Sequence, residues 1–227
     1  MPPTPANSRT ALLAGATGLV GRALLTQLLA DPAYRSVTVF VRRAPPGIAA
    51  QPKLRLQTVD FARLPEPFPA VDDVYIALGT TIKVAGSKPA FRRVDFDFVV
   101  ALATAARAAG ATRIGVVAAL GGDSKSRVFY NRVKGEMQVA IGELGYSSVV
   151  IAQPSLLVGD RAALGQPVRS VEVFAARLLG PVIGLVPKSV RPIAASDVAA
   201  ALRHAVASAQ PGVSILKSAQ MQHAGAS

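Results

Sequence analysis

Short apolar runs alternate with amphipathic stretches over most of the chain. Continuous apolar runs predict buried strands, whereas apolar residues at intervals of three and four predict helices. The predicted strands are residues 11–14, 36–41, 54–59, 73–78, 113–118, 148–153 and 213–216. The predicted helices are residues 19–29, 90–109, 128–144, 171–179 and 196–209. This alternation predicts an α/β fold with a doubly wound parallel β-sheet covered by helices on both faces.

Three glycines, Gly15, Gly18 and Gly21, fall at the turn between the first strand and the first helix. In a dinucleotide-binding turn, the first glycine permits the tight bend and the second lets backbone N–H groups approach a pyrophosphate at the positive end of the helix. The third lets helix and strand pack closely. The spacing Gly-x-x-Gly-x-x-Gly indicates the short-chain reductase variety of the Rossmann fold. An ordinary tight turn is the alternative.

The second predicted strand ends at Arg42 and Arg43. A Rossmann enzyme that prefers NAD usually has a carboxylate here, which binds the ribose 2′-hydroxyl. Guanidinium groups suit a 2′-phosphate instead, because their charge and fork geometry match phosphate oxygens. We therefore expect NADP(H) as the cofactor, with Arg42 as the main contact and NAD(H) as the less favoured choice. Two solvated arginines on a loop are the alternative.

Tyr130 and Lys134 are one helical turn apart in the helix after the fifth strand. This spacing places both side chains on one helix face, where the ammonium can favour the ionised form of the phenol. Such a tyrosine can exchange a proton with a carbonyl or an alcohol. The same ammonium can hold the nicotinamide ribose. In a nucleotide-binding domain the pair predicts Tyr130 and Lys134 as the catalytic residues.

The composition fits one folded domain and excludes several kinds of site. The 227 residues are 51% hydrophobic and include no cysteine, which excludes disulfides and thiolate metal sites. His204 and His223 lack a second ligand at a metal-binding spacing, so no metal site is expected.

We find no signal-peptide core at the N-terminus and no apolar run of bilayer length, and therefore expect a cytoplasmic protein without a membrane partner.

Basic residues outnumber acidic ones by 25 to 13, for a net charge of +12. Such a charge can indicate nucleic-acid binding. However, the basic residues are scattered, tryptophan is absent and aromatic residues are only 5%, so base-stacking surfaces are scarce. We therefore expect a small-molecule substrate rather than nucleic acid as the partner. For the oligomeric state, we expect a monomer or a homodimer.

The alternation of strands and helices changes after Pro154. Residues 155–195 are punctuated by glycine and proline and predict a small substrate-facing lobe, followed by a returning helix and strand in residues 196–216. Together with a cofactor-binding core at residues 8–154, these parts make a single domain over residues 1–227. Two acids before the fourth strand, Asp72 and Asp73, are interpreted as a turn. Ser196 and Asp197 are predicted to cap the last helix, with a first-turn acid stabilised by the helix dipole as the other role for Asp197.

Several motifs resemble the atypical short-chain dehydrogenase/reductase superfamily. They are the three glycines, Leu78-Gly79-Thr80-Thr81 after the fourth strand, Val94-Asp95 in the following helix, Tyr130 with Lys134, and Gln153-Pro154-Ser155. More narrowly, Leu78-Gly79-Thr80-Thr81 with Ala85-Gly86, and the stretch from Phe129 to Glu136, are similar to the branch that contains the human Tat-interacting oxidoreductase.

The resemblance covers nearly everything between residues 10 and 216. It implies an NADP(H)-binding domain in which Tyr130 is the proton donor or acceptor and Lys134 tunes it. It places Asp60 at the adenine and the segment after Pro154 on the nicotinamide side. Asp95 lies near the cofactor, with a structural hydrogen bond as the alternative role. The full set of expected cofactor-binding residues is Gly15, Ala16, Thr17, Gly18, Leu19, Val20, Gly21, Arg42, Arg43, Asp60, Phe61, Ala77, Leu78, Gly79, Thr80, Lys134, Pro154 and Ser155.

The sequence departs from this family at the end of the fifth strand. The family usually has a serine there that hydrogen-bonds the substrate oxygen, whereas this chain has Ala118 and Ala119. Losing one such donor costs on the order of a hundred- to a thousandfold in turnover. Ser124, Ser126 or Thr81 can replace the donor if the loop folds over the site, or can serve as loop and capping residues.

These observations leave two functions. The first is an NADPH-dependent oxidoreductase that reduces a small, apolar carbonyl compound. The second is an NADP(H)-binding regulatory or protein-interaction module with little or no turnover, which the missing serine favours. Gln153 occupies a position where relatives often have arginine, which weakens the case for an anionic substrate.

Overall fold

Seven strands form one parallel sheet in the computed structural model, which describes residues 9–43, 51–158, 187 and 189–222. The strand order is β3-β2-β1-β4-β5-β6-β9. These strands are β1 Arg9–Ala14, β2 Tyr34–Val41, β3 Leu54–Thr58, β4 Asp73–Ile76, β5 Arg113–Val117, β6 Ser148–Gln153 and β9 Gly212–Lys217. A separate parallel pair joins β7 Leu157–Val158 to β8 Ile193–Ala194. The predicted doubly wound α/β fold is confirmed.

Helices cover both faces of the sheet. They are α1 Leu19–Ala30, α2 Ile82–Ala85, α3 Lys88–Arg92, α4 Phe98–Ala108, α5 Phe129–Gly142, α6 Ala195–Ala207 and α7 Ser218–Met221. A π-helical turn, Arg93–Asp97, connects α3 to α4. No helix among the described residues is long and apolar enough to cross a bilayer.

Successive side chains of a strand point to opposite faces of the sheet, which explains why an apolar layer lies on each face. In β1, Leu13 packs with Leu24 of α1 and Leu202 of α6 on one face. The adjacent residue, Leu12, packs with Leu102 of α4 on the other face. Because β1 is buried on both faces, it is apolar throughout its buried part, as a central strand of a parallel sheet requires.

The chain changes direction across the sheet between β1 and β4. From β1 it adds β2 and β3 on one side, and β4 then pairs with the other side of β1. At such a switch point the connections after the two strands diverge and leave a crevice at their carboxyl ends. The loops after β1 and β4, residues 15–21 and 77–81, border this crevice.

A buried polar cluster lies at the opposite, amino edge of the sheet. Asp73, at the start of β4, is fully buried; it pairs with Arg9 and Arg113 and accepts a hydrogen bond from the Tyr34 hydroxyl at 2.5 Å. The Tyr34 and Tyr75 hydroxyls are 2.9 Å apart. Burial is the main cause that raises the pKa of both tyrosines, most strongly that of Tyr75. The interpretation of Asp73 as a turn residue was wrong, because three strands converge on its carboxylate.

Two further boundaries differ from prediction. The fourth strand ends at Ile76 rather than at residue 78, which leaves the next residues free to form the crevice loop. The N-cap of α6 is Ala194 rather than Ser196 or Asp197, and Asp197 has its other predicted role, as an acid in the first turn. The helix predicted over residues 171–179, with most of the predicted substrate-facing lobe, falls outside the described residues.

Candidate cofactor and proton-transfer site

The glycine turn after β1 is packed too closely for side chains at two of its three glycines. Gly15 has a φ of +95°, and a Cβ atom there would lie 2.4 Å from the Ala77 carbonyl oxygen. A Cβ atom on Gly21 would lie 2.0 Å from the Gly15 carbonyl oxygen. These contacts explain why the turn needs glycine at both positions. They confirm that Gly21 lets the helix pack closely on the turn.

Gly18 has a different environment. It is the N-cap of α1, and its N–H donates to the Gly15 carbonyl oxygen at 3.0 Å. A Cβ atom on Gly18 would make only an ordinary contact of 3.5 Å with that oxygen. No described side chain caps α1, and its first turn has no acid. The positive end of the helix, whose first N–H groups have no partner within the helix, is therefore suited to a phosphate.

The ends of β2 and β3 lie beside this turn. Arg42 and Arg43 are exposed and form no hydrogen bond or ion pair with any described residue. Asp60 is exposed and its Oδ1 accepts a hydrogen bond from Ala62 N–H at 2.9 Å, which is the geometry of a turn. Phe61 is buried and stacks on Phe98 with ring centroids 6.1 Å apart. The arginines are thus available to a ligand, whereas Phe61 serves the core.

The loop after β4 closes the other side of the turn. Ala77 N–H donates to the Ala14 carbonyl at 2.8 Å, which continues the β1–β4 pairing. Thr80 N–H donates to Asp95 Oδ2 at 2.9 Å. Gly79 packs against the same carboxylate, because a Cβ atom on Gly79 would be 3.3 Å from Asp95 Oδ1. The loop therefore connects the glycine turn with the helices on the α4–α5 face.

Lys134 and Asp95 form a buried ion pair at the same edge of the sheet. The Lys134 Nζ atom is 2.8 Å from Asp95 Oδ1, and the two side chains are 5% and 0% exposed. A Cβ atom on Gly79 would be 3.6 Å from the lysine Nζ. The ammonium predicted as catalytic thus faces the loop predicted to bind the cofactor. Sequence reasoning placed Asp95 near the cofactor but did not identify this ion pair.

Tyr130 lies one turn before Lys134 on α5 and is partly exposed. Its ring packs on Phe91 of α3, with centroids 5.3 Å apart. Its hydroxyl has no hydrogen-bond partner within the described ranges of the chain. A tyrosine with a fixed ring and an available hydroxyl is suited to contact a ligand.

The loop after β5 contains the alanines that replace the family serine. Ala118 is buried, and its N–H donates to the Ala152 carbonyl at 2.8 Å. Ser126 Oγ accepts a hydrogen bond from Val128 N–H at 3.1 Å, and Thr81 Oγ1 accepts one from Val84 N–H at 3.1 Å. Thr81 therefore caps α2, and Ser126 is a loop residue that bonds its own turn, which are the capping and loop roles that the sequence left open. Ser124 packs on α5, where a Cβ atom on Gly135 would be 2.1 Å from its backbone nitrogen.

A chain of polar side chains ends at the backbone of Lys134. Lys217 Nζ donates to Gln153 Oε1 at 2.7 Å, and Gln153 Nε2 donates to Gln138 Oε1 at 2.6 Å. Gln138 Nε2 in turn donates to the Lys134 carbonyl at 3.1 Å. Buried amides of this kind need such partners. The Gln153 side chain therefore bonds to Gln138 and Lys217.

Pro154 and Ser155 follow β6. The Pro154 carbonyl accepts a hydrogen bond from Leu120 N–H at 2.9 Å, which ties the loop after β5 to the end of β6. The Ser155 hydroxyl donates to the Arg191 carbonyl and accepts a hydrogen bond from Ser218 at 2.8 Å. The structure thus uses Ser155 to attach the returning segment beside the site.

A family model described as NAD(P)H-binding matches residues 15–144. Protein fmp52, mitochondrial, from Emericella nidulans is 34% identical over 177 residues, which cover 75% of this chain and 76% of that protein. Protein HTATIP2 from Rattus norvegicus is 32% identical over 158 residues, which cover 68% of this chain and 65% of that protein. The predicted NAD(P)H-binding domain and the family resemblance are confirmed.

Solved structures agree on the fold. An oxidoreductase of the short-chain dehydrogenase/reductase family from Burkholderia thailandensis superposes with a TM-score of 0.66 at 20% identity, covering 94% of this chain and 90% of that one. MoeE5 in complex with UDP-glucose and NAD has a TM-score of 0.69 at 18% identity, covering 92% of this chain and 75% of that one. At these identities the likeness establishes the Rossmann fold.

The relatives also correct one expectation. The fungal relatives from Emericella nidulans, Candida albicans and Eremothecium gossypii are named as mitochondrial proteins. This finding overturns the expectation of a cytoplasmic location, which rested on the lack of a recognisable targeting segment. The chain belongs to the NAD(P)H-binding, oxidoreductase-like family of Rossmann-fold proteins that includes HTATIP2 and the fmp52 proteins.

Proposed function

We propose that this protein is an NADPH-dependent reductase of a small, apolar carbonyl compound. The observation that carries the proposal is the position of the Lys134 ammonium. It lies against Gly79 in the loop beside the glycine turn, and its residue follows Tyr130 by one turn of α5. A cation that faces the predicted dinucleotide site, on a helix that also carries a tyrosine with an available hydroxyl, fits the transfer of hydride and proton to a carbonyl group.

The residues present fit a dinucleotide cofactor. The open N-terminus of α1 at Gly18 suits the pyrophosphate. The exposed guanidinium groups of Arg42 and Arg43 at the end of β2 suit the 2′-phosphate that distinguishes NADP from NAD. When bound, the cofactor supplies the hydride from C4 of its nicotinamide ring.

The chain's own residues supply the proton and the orientation. The Tyr130 hydroxyl donates its proton to the carbonyl oxygen as that oxygen gains negative charge, which yields the alcohol and leaves the phenolate. The Lys134 ammonium stabilises the phenolate by its charge and can donate a hydrogen bond to the nicotinamide ribose. Phe91 fixes the plane of the Tyr130 ring.

The second candidate is an NADP(H)-binding regulatory or interaction module with little turnover. Ala118 favours it, because a methyl group cannot donate a hydrogen bond to the substrate oxygen, and the Ser126 and Thr81 oxygens already accept backbone N–H groups of their own loops. An alanine at this position lowers turnover by on the order of a hundred- to a thousandfold, which still leaves a measurable rate.

A panel of small aldehydes and ketones, followed by NADPH absorbance, separates the two candidates. A reductase gives turnover that falls at least about a hundredfold in Tyr130→Phe, since the proton donor is lost. The variant must keep its melting temperature and its NADPH affinity, which shows that the fold and the cofactor site are intact. NADPH binding without turnover on any carbonyl supports the regulatory module. Turnover that is unchanged in Tyr130→Phe contradicts the reductase mechanism.

A further inference from the structure

The helix that passes behind Lys134 is interrupted by the π-helical turn Arg93–Asp97. The sequence predicted one regular helix over residues 90–109, so the extra residue of this turn was not foreseen. The turn places Asp95 in the interior at 0% exposure, while Asp97 in the same turn is exposed. Insertions of this kind occur frequently at functional sites.

The Asp95 carboxylate binds two parts of the site at once. Oδ1 is 2.8 Å from Lys134 Nζ on α5, and Oδ2 accepts the Thr80 N–H at 2.9 Å from the loop after β4. That loop also packs on the glycine turn, because a Cβ on Gly15 would meet the Ala77 carbonyl at 2.4 Å. One side chain therefore connects the cofactor side of the crevice with the proton-transfer helix.

Among the described residues, Lys134 forms one ion pair, with Asp95. The loop after β4 faces it with Gly79, and the loop after β5 faces its Cβ atom with Gly122, whose added Cβ would lie 3.4 Å away. On α5 the neighbouring groups are the Tyr130 phenol and the neutral Gln138. Within the described residues, Asp95 is the one carboxylate that pairs with Lys134. A buried ammonium needs such a partner to stay in place.

We propose that Asp95 is a positioning residue for the reaction proposed above. It fixes the position of the Lys134 ammonium relative to the loop after β4. Cofactor binding and the proton donor are thereby coupled through one carboxylate. This inference rests on the proposed function. Asp95 itself needs no contact with substrate or cofactor, and its effect is exerted through Lys134 and Thr80.

Two substitutions at Asp95 separate charge from shape. Asn has the same shape and its Oδ1 can still accept the Thr80 N–H, but it lacks the charge that holds Lys134. Glu keeps the charge and adds one methylene. We expect kcat to fall by on the order of a hundredfold in Asp95→Asn, with little change in KM for NADPH, and to fall less in Asp95→Glu. Asp97→Asn is the matched control and should leave kcat unchanged.

A packing role predicts the reverse order, because Asn fits the buried space better than Glu does. If Asp95→Asn retains more kcat than Asp95→Glu, or if Asp95→Asn behaves like Asp97→Asn, the proposal is overturned. Measurements of melting temperature for all three variants show whether a lost rate reflects lost folding.

Amide hydrogen exchange tests the coupling without any turnover. In the wild-type protein, NADPH should slow exchange both in residues 15–21 and in residues 129–137. In Asp95→Ala, which lacks both contacts, residues 15–21 should remain protected by NADPH and residues 129–137 should not. Protection of both segments in this variant overturns the coupling but leaves the cofactor proposal standing. If NADPH protects neither segment in the wild-type protein, the cofactor proposal and this inference both fail.

Discussion

Gly21 and Gly15 are in such close backbone contact that a Cβ atom on Gly21 would lie 2.0 Å from the Gly15 carbonyl oxygen. Gly15 is close to the neighbouring loop in turn, because a Cβ atom on it would lie 2.4–2.8 Å from the Ala77–Leu78 peptide group. The first turn of α1 is therefore held directly over the glycine turn. This packing places the N-terminus of the helix where a pyrophosphate can reach it.

Gly21→Ala should therefore destabilise the protein. Overpacking typically costs about 1–3 kcal/mol, and a contact with backbone rather than with a flexible side chain puts this site at the upper end or above. Urea unfolding measures the loss. Gly142→Ala is the control, because its Cβ would lie 3.6 Å from Val213 in ordinary contact at the end of α5. Equal stability of Gly21→Ala and the wild-type protein would contradict this account of the turn.

Gly18→Ala should act in the opposite way, with normal folding and weaker cofactor binding. Its Cβ makes only a 3.5 Å contact inside the protein, but it enters the space in which phosphates approach the α1 N-terminus. We expect an unchanged urea midpoint and an affinity for NADPH lowered by about tenfold or more, since each 1.4 kcal/mol of lost interaction is a factor of ten. A variant with normal NADPH affinity would place the pyrophosphate elsewhere.

The buried cluster at the amino edge should govern stability and leave binding untouched. Asp73→Asn removes the charge that balances Arg9 and Arg113 and should cost about 3–5 kcal/mol of unfolding free energy. NADPH affinity should not change, because the cluster lies at the edge opposite the crevice. Asp97→Asn, at an exposed site, is the control and should be neutral. A loss of NADPH affinity in a folded Asp73→Asn protein would contradict this separation.

The same cluster predicts sensitivity to alkali. Burial raises the pKa of Tyr75 well above its ordinary value of 10.0, and the neighbouring Tyr34 raises it further. The folded state therefore holds this proton more tightly than the unfolded chain does. The resulting stability is fully present below about pH 10 and is lost as the pH rises toward the folded-state pKa.

Urea unfolding between pH 8 and pH 11 checks this sign. The free energy of unfolding should fall above about pH 10 in the wild-type protein and fall less steeply in Tyr75→Phe, which lacks the titrating group. Identical slopes for the two proteins would show that the Tyr75 hydroxyl does not contribute.

Much of the fold followed from the sequence, because the apolar runs of β1 and β6 and the glycines of the turn are local signals. The helix that carries Tyr130 and Lys134 was also predicted, because its apolar spacing and its place after β5 are both local signals. The closeness of Lys134 to Gly79, in contrast, was not predicted and is seen only in the structure.

The features that escaped prediction depend on long-range contacts. Asp73 looked like a turn residue because its partners Arg9 and Arg113 are distant in sequence and join it only when the strands pair. The π-helical turn that buries Asp95 leaves no periodicity signal, since one extra residue changes the pattern too little. Val94-Asp95 was a signal of position near the cofactor, but the ion pair with Lys134 required the structure.

The central claim, a site for NADPH at the glycine turn with Arg42 at the 2′-phosphate, is tested most directly by calorimetric titration of the protein with NADPH and with NADH. We expect NADPH to bind at least about tenfold more tightly, since a charge-assisted hydrogen bond to phosphate contributes about 1.5–3 kcal/mol. Arg42→Ala should remove most of this preference by weakening NADPH alone, and Arg43→Ala should remove less. Failure of both nucleotides to bind, or tighter binding of NADH, would contradict the account.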